Sequence, residues 1–357
     1  MQISDKAIDS VSQYLHQAQS IESLQQISLL GTGAVGCLEE KLEQHYGMKY
    51  ALCITNATMG LWALAQALDL GGTQFITTPY TYGASLAGFL QLGCQPIFAD
   101  IDAHTLTIDP EAVRQAITSE TKAIVAVDML GIPCDAIALR ALADEYGVWY
   151  IADAAQSLGA YRDGLPASSL ADALVVSFTF GKSVFAGEGG AILTNNDEIY
   201  RKLLWWTQHP MRQRCELGLD LDNEFGINCR IHPLAAVWAN AIFEDALVAI
   251  NEYRSKIFML IDALNEIGLT EPISFQEQDI LPSFFQMSGT WKVESKGNKL
   301  LKYLQDRNFS IRLKTSCLRL IYEQPEFLAK HDNLDYSKSC PNAKNYAEKH
   351  IYFYFEN

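Results

Sequence analysis

One lysine, Lys182, sits in a glycine-rich turn between two apolar runs, Ala173–Phe178 and Gly190–Thr194, with glycines at 181, 187, 189 and 190. A lysine in such a turn is ordinarily a solvated cation. The alternative is nucleophilic chemistry: an amine at a strand end, aimed at a carbonyl, forms a Schiff base. Other chemistry-bearing residues follow apolar runs in the same way. Thr55-Asn56-Ala57-Thr58 follows Ala51–Ile54, Pro79-Tyr80-Thr81-Tyr82 follows Gln74–Thr78, and Asp153-Ala154-Ala155-Gln156 follows Val148–Ala152. Ser177 ends the run that leads to Lys182.

The elements that must position these groups alternate. Strands are expected at 51–54, 74–78, 95–99, 122–127, 148–152, 173–178 and 190–194, and helices at 58–68, 82–92 and 135–146. A further helix start is marked by an acidic N-cap and an N1 proline at Asp109-Pro110. This βαβα order predicts an α/β fold with a mostly parallel sheet covered by helices on both faces. The near-continuous apolar strands agree with burial on both sides. Ligands of open parallel sheets bind at the carboxyl ends of the strands, where the hydroxyls, rings, carboxylate and lysine collect. Taken singly, Thr55–Thr58 reads as an N-cap, Tyr80 and Tyr82 as core aromatics, Asp153 as a helix cap and Ser177 as a strand residue. Taken together they suit one ligand. A helix N-terminus holds a phosphate, a ring stacks on a heterocycle, a carboxylate keeps a pyridine nitrogen protonated, and a lysine holds an aldehyde. That ligand is pyridoxal 5′-phosphate (PLP).

The sequence resembles the DegT/DnrJ/EryC1/StrS family of PLP-dependent, fold type I sugar aminotransferases. The resemblance rests on Gly31–Val35, Tyr50–Thr58, Pro79–Tyr82, Ile97–Asp102, Ile151–Gln156, Ser177–Lys182, Gly187–Gly190 and Gly226–Arg230, in order over about residues 29–245. It implies that Lys182 carries the Schiff base, Asp153 pairs with the pyridinium nitrogen, Gln156 contacts the ring hydroxyl and Tyr82 stacks on the ring. Ser177 and the backbone at Ala57 and Thr58 would hold the phosphate. Asn228, in Asn223–Asn228, would reach the phosphate of a neighbouring subunit, making the active unit a homodimer. Two departures stand out. Ala57 replaces a glycine of the family's Ser-Ser-Gly-Thr turn, and the C-terminal third matches poorly, without the family's histidine-rich substrate segment.

The expected activity is transfer of an amino group from an amino acid, glutamate or glutamine, to a keto-sugar or related small ketone, in sugar or secondary-metabolite biosynthesis. Dehydration, cyclisation or epimerisation on PLP is the alternative within the same chemistry, and a non-catalytic PLP-binding regulator is the alternative outside it. Family dehydratases carry histidine in place of the lysine, so Lys182 argues against the first. Arginine forks mark dicarboxylate sites and are sparse here. Arg230 is the candidate for the donor carboxylate. Arg212 and Arg214, in a stretch read as a loop over the pocket (208–214), are the candidates for a diphosphate.

The chain has 357 residues, 49% hydrophobic and 19% charged, with a net charge of −15. Such a chain buries a large core, and its charge makes nucleic acid or an anionic membrane a poor partner. Neither a signal segment nor a run of about 18 apolar residues is evident, so a cytoplasmic protein is expected. The eight cysteines are scattered, as reduced thiols are, and the dispersed histidines give a metal site no support. The expected division is a PLP-binding large domain at 1–240, with an N-terminal helical segment over 3–27, and a small α+β domain at 241–357. A long helix over 234–254 would lead into that domain, with further helices near 255–268 and 296–308.

Overall fold

The computed structural model describes residues 5–17, 27, 29–220, 225–273, 279–293, 296–315, 319–331 and 339–356. Residues 3–4 and 18–26 of the expected N-terminal helices, Asn223 and Cys317 lie outside them. Two helices, α1 (Asp5–Gln17) and α2 (Ala34–Tyr46), lead into the alternating region. There the order is β1 (Tyr50–Ile54), α3 (Ala57–Ala67), β2 (Gln74–Thr77), α4 (Ala84–Gln91), β3 (Gln95–Phe98), α5 (Pro110–Ala116), β4 (Thr121–Val127), α6 (Ala136–Tyr146) and β5 (Trp149–Asp153). The short strands β6 (Tyr161–Arg162) and β7 (Leu165–Pro166) precede β8 (Ala173–Ser177) and β9 (Gly190–Thr194).

The large strands form one sheet in the order β1-β9-β8-β5-β4-β2-β3. The pairs from β3 to β8 are parallel, and β9 runs antiparallel to both β8 and β1. Only β9 is therefore reversed, and the carboxyl ends of the others share one edge. Burial on both faces is visible in β4. Ala123 and Val125 join one core with Leu61, Leu64 and Phe89, while Ile124 and Ala126 join the other with Leu38, Leu139 and Phe243. The alternation is the strand period of two.

Beyond the sheet lie α7 (Asp197–Thr207), α8 (Pro210–Leu217) and α9 (Pro233–Ile267). The two helices expected over 234–254 and 255–268 are one. No glycine or proline interrupts the run between Pro233 at the first helical position and Gly268, whose left-handed φ of 66° closes it. Among the described residues α9 is the one helix long and apolar enough to cross a membrane by length and composition. It instead packs its first half against the large sheet through Ala236, Ala239 and Phe243, and its second half, from Ile257 to Leu264, into a separate core.

That separate core is completed by β10 (Thr270–Pro272), β12 (Met287–Trp291), α10 (Gly297–Gln305), β13 (Ile311–Lys314) and β14 (His350–Phe355), with β11 (Ile280–Leu281) pairing with β6. The strands β10-β12-β14-β13 form an antiparallel sheet. Two helices, α11 (Pro325–His331) and α12 (Pro341–Lys349), belong elsewhere: Tyr322, Phe327, Cys340, Ala343 and Tyr346 pack into the core of the large sheet. Residue 240 lies inside α9, and the chain beyond it contributes to both cores. All described cysteines are free.

Candidate active site

The carboxyl edge of the sheet opens into a cavity of about 470 Å³ lined by Ala57, Thr58, Tyr82, Asp153, Gln156, Ser177 and Lys182, together with Asn56, Ser85, Thr179 and Glu188. One wall is the N-terminus of α3. Asn56 is its cap, with Oδ1 accepting the Met59 N–H at 2.9 Å. The first amides of a helix have no partner a turn earlier, so the N–H groups of Ala57 and Thr58 are available to an anion. The replacement of glycine by Ala57 leaves this helix start intact. The next strand is close: a Cβ on Gly190 would lie 2.7 Å from the Val176 carbonyl and 3.0 Å from the Ala57 nitrogen. Glycine at 190 lets β9 start between the ends of β1 and β8, where it pairs with Ile54 and Ser177.

Asp153 is the last residue of β5 and is buried. Its Oδ2 accepts the Ser85 hydroxyl at 2.7 Å and its Oδ1 accepts the Ala155 N–H at 3.1 Å. Ser85 is in turn 2.8 Å from the Thr81 hydroxyl. Burial pushes the Asp153 carboxyl up, against the lowering effects of Ser85, the Ala155 amide and the charge of Lys182. Lys182 responds in the opposite sense: burial pulls its ammonium down, and Asp153 opposes the shift. Desolvation thus favours the neutral form of each. The Lys182 Nζ lies over the ring of Phe285 at 4.2 Å. Gln156 Oε1 accepts the Leu130 N–H at 2.9 Å and its Nε2 donates to Met129 Sδ at 3.6 Å, which fixes the side chain and leaves one amide hydrogen to donate. Thr179 donates to Glu188 at 3.1 Å, and both line the cavity with Lys182. Tyr82 is 72% exposed, although it lines the cavity.

The substrate-side arginines divide. Arg230 follows the exposed Asn228 and bridges to Ile54 at the end of β1. It is half-buried, burial lowers its pKa, and its Nε has no hydrogen-bond partner. Neither Asn228 nor Arg230 lines the cavity within this chain. The assignment of Arg212 to a diphosphate is corrected. The stretch around it is not a pocket loop but the helix α8, started by Pro210 and capped by His209. Arg212 is 4% exposed, and its Nη1 and Nη2 bond both oxygens of Glu39 at 3.0 and 2.9 Å. Its Nε bonds Glu216 at 2.6 Å. Its guanidinium fills the space beside Gly31, where a Cβ would lie 2.1 Å from Nη1. Arg212 is a structural ion pair, and Arg214, exposed on the same helix, does not line the cavity.

Sequence reasoning passed over Ser85, Glu188 and Phe285. Glu188 stands in the Gly187–Gly190 stretch, and Ser85 begins the helix after Tyr82, so each had a local signal. Phe285 comes from a distant part of the chain and had none.

A mixed sheet with a lysine and a carboxylate converging at its carboxyl edge, beside a helix N-terminus, is the architecture of PLP fold type I. The chain belongs to the DegT/DnrJ/EryC1/StrS aminotransferase family, whose model matches residues 12–354. It is 33% identical over 241 residues to the UDP-2-acetamido-2-deoxy-3-oxo-D-glucuronate aminotransferase of Pseudomonas aeruginosa. That match covers 66% of this chain and 65% of the relative's length. Its fold is similar to an aminotransferase from Psychrobacter cryohalolentis, with a TM-score of 0.81 and 24% identity over 99% of this chain and 92% of that one. It is also similar to DesI, solved in the presence of its TDP-sugar product, with a TM-score of 0.74 and 27% identity over 96% of this chain and 84% of that one.

Proposed function

We propose that the protein is a PLP-dependent aminotransferase that moves an amino group from an amino acid, glutamate or glutamine, to a keto-sugar, and that a nucleotide-linked keto-sugar is the acceptor class to try first. The observation that carries this reading is the convergence of Lys182, Asp153 and the α3 N-terminus in one cavity. These residues fit the cofactor: unpaired helix amides suit its phosphate, a buried carboxylate suits its protonated ring nitrogen, and an amine suits its aldehyde. When bound, PLP supplies an electron sink and a carrier for the amino group.

The chain's own residues do the rest. Lys182 Nζ is the attachment point and, when free, the base that holds and moves a proton. A lysine at its ordinary pKa of about 10.4 is a weak base at neutral pH because it is protonated, and burial brings this one towards the range where it acts. Asp153, held by Ser85 and the Ala155 amide, orients the ring and keeps its nitrogen protonated. Ser177, Ala57 and Thr58 receive the phosphate, Gln156 the ring hydroxyl, and Tyr82 the face of the ring. Arg230 is assigned to the donor carboxylate. The exposed Asn228 is assigned to the phosphate of a second copy, making the active unit a homodimer. We divide the labour between the large sheet, which holds the cofactor, and the part of the chain beyond α9's midpoint, which closes the acceptor side. The free thiols support a reducing, cytoplasmic setting.

The test is attachment and turnover. Protein incubated with PLP and reduced with borohydride should carry the cofactor on Lys182, and glutamate with a nucleotide-linked keto-sugar should give the amino-sugar. Label on a different lysine would overturn the assignment of Lys182.

A further inference from the structure

The segment Pro282–Gln286, between β11 and β12, is fastened to the site by a set of bonds that the proposed chemistry does not use. Ser283 N–H donates to the Gly131 carbonyl at 2.9 Å, and its hydroxyl donates to the Gln156 carbonyl at 2.8 Å. Arg254, buried in α9, joins the same two loops: its Nε bonds the Pro282 carbonyl and its Nη2 the Gly159 carbonyl, both at 2.6 Å. Gln286 Nε2 holds the far end to the Tyr354 hydroxyl at 2.6 Å. The approach is close enough to require glycine at 131, where a Cβ would lie 2.4 Å from Ser283 Oγ and 2.7 Å from the Phe285 nitrogen.

Within this segment two adjacent phenylalanines part. Phe284 has a left-handed φ of 49°, a conformation that strains a non-glycine residue. Its side chain is buried in the separate core, edge-on to Phe258 at 5.6 Å. The reversal at Phe284 leaves Phe285 to the other side, half-buried, with its ring 4.2 Å from Lys182 Nζ. Strained backbone, a required glycine and a buried arginine strap all fix the placement of this one ring.

We propose that Phe285 is a positioning residue for Lys182: a ring wall, delivered from the C-terminal part of the chain, that holds the free amine over the cavity and keeps water from its far side. The proposal rests on Lys182 being the reactive amine. The ring acts in two ways. Its bulk excludes water, which disfavours the ammonium, and its face attracts the ammonium. The titratable groups sharing the cavity with the amine are Asp153, Glu188 and Tyr82, and Pro282–Gln286 brings no other.

Two variants separate the effects. Phe285→Ala removes both the wall and the π face, with the admitted water outweighing the lost face, and Phe285→Leu removes the π face alone. The readout is the pH midpoint of Lys182 acetylation by acetic anhydride, followed by mass spectrometry on the full-length chain, both without added cofactor and with pyridoxamine phosphate. Phe285→Ala should raise the midpoint and Phe285→Leu should lower it, each on the order of half a pH unit. Phe285→Tyr should restore the wild-type value. A midpoint unchanged in both variants, or moved the same way in both, overturns the proposal. The readout needs no turnover, so it stands apart from the borohydride test: failure of PLP to attach to Lys182 would sink the functional reading and leave the effect of Phe285 still measurable.

Discussion

At the scale of single residues, the site depends on a buried carboxylate, Asp153, and a half-buried amine, Lys182, which desolvation drives towards neutrality. Among the described residues Asp153 has Ser85 and one backbone amide as its close donors. A protonated ring nitrogen would be its third partner. Asp153→Asn removes that charge but keeps the shape. A charge-assisted hydrogen bond contributes about 1.5–3 kcal/mol, so turnover should fall roughly 10- to 100-fold or more while the circular dichroism spectrum and melting temperature hold. Unaltered turnover would remove Asp153 from the chemistry. Arg212 gives the opposite pattern. It neutralises the buried Glu39, which also accepts the Cys53 N–H at 2.8 Å. Arg212→Met should destabilise the fold by about 3–5 kcal/mol in urea denaturation, because an uncompensated carboxylate stays behind. Adding Glu39→Gln should recover much of the loss, since the amide still accepts from Cys53. A selective rise in KM for a nucleotide-sugar, with stability untouched, would return Arg212 to the substrate.

At the scale of elements, the phosphate end is set by the contact between β9 and the start of α3. Gly190 has ordinary strand geometry, and what it contributes is the absence of a side chain. Both atoms nearest to an added Cβ are backbone and cannot swing away. Gly190→Ala should therefore displace the Ala57 and Thr58 amides by a few tenths of an ångström and weaken PLP binding about tenfold, a change of about 1.4 kcal/mol. Equilibrium dialysis of PLP against the variant reads this directly, and wild-type affinity would show that the helix start is free to adjust. Lengths and caps were well marked along this part of the chain: Asp109-Pro110 starts α5, and Gly147 in the left-handed region ends α6. Where a loop is expected over 208–214, His209-Pro210 begins a short helix, since proline at the first helical position interrupts nothing.

At the scale of the whole molecule, three large rings lie exposed, and one of them, Tyr82, lines the cavity. Tyr82, Phe180 and Phe225 are 72%, 81% and 84% exposed, and Asn228 follows Phe225 in the same stretch. A second copy of the chain would cover such rings if it packed here, and a two-fold symmetric pair is the commonest arrangement of soluble oligomers. If Asn228 serves the other subunit's phosphate, Lys182→Ala and Asn228→Ala should each be inactive alone and complement when mixed. Random re-pairing gives half heterodimers with one intact site each, so about a quarter of wild-type activity should return. A mixture that stays inactive, or a monomer by light scattering, would rule out shared sites.

Sequence alone carried the order of the elements, the parallel sheet and the strand ends, because apolar runs of strand length alternate with helical patterns and ligands gather where strands end. It therefore brought Ala57, Thr58, Tyr82, Asp153, Gln156, Ser177 and Lys182 towards one edge, and these residues line one cavity. The tertiary structure decided what no local pattern encodes. It reversed β9, joined two expected helices into α9, and returned α11 and α12 to the core of the large sheet. It also turned Arg212 inward, because a guanidinium beside Gly31 meets Glu39 from a segment 173 residues away. Phe285 reached Lys182 by the same kind of long-range packing, which depends on how the two cores dock and not on the residues next to either side chain.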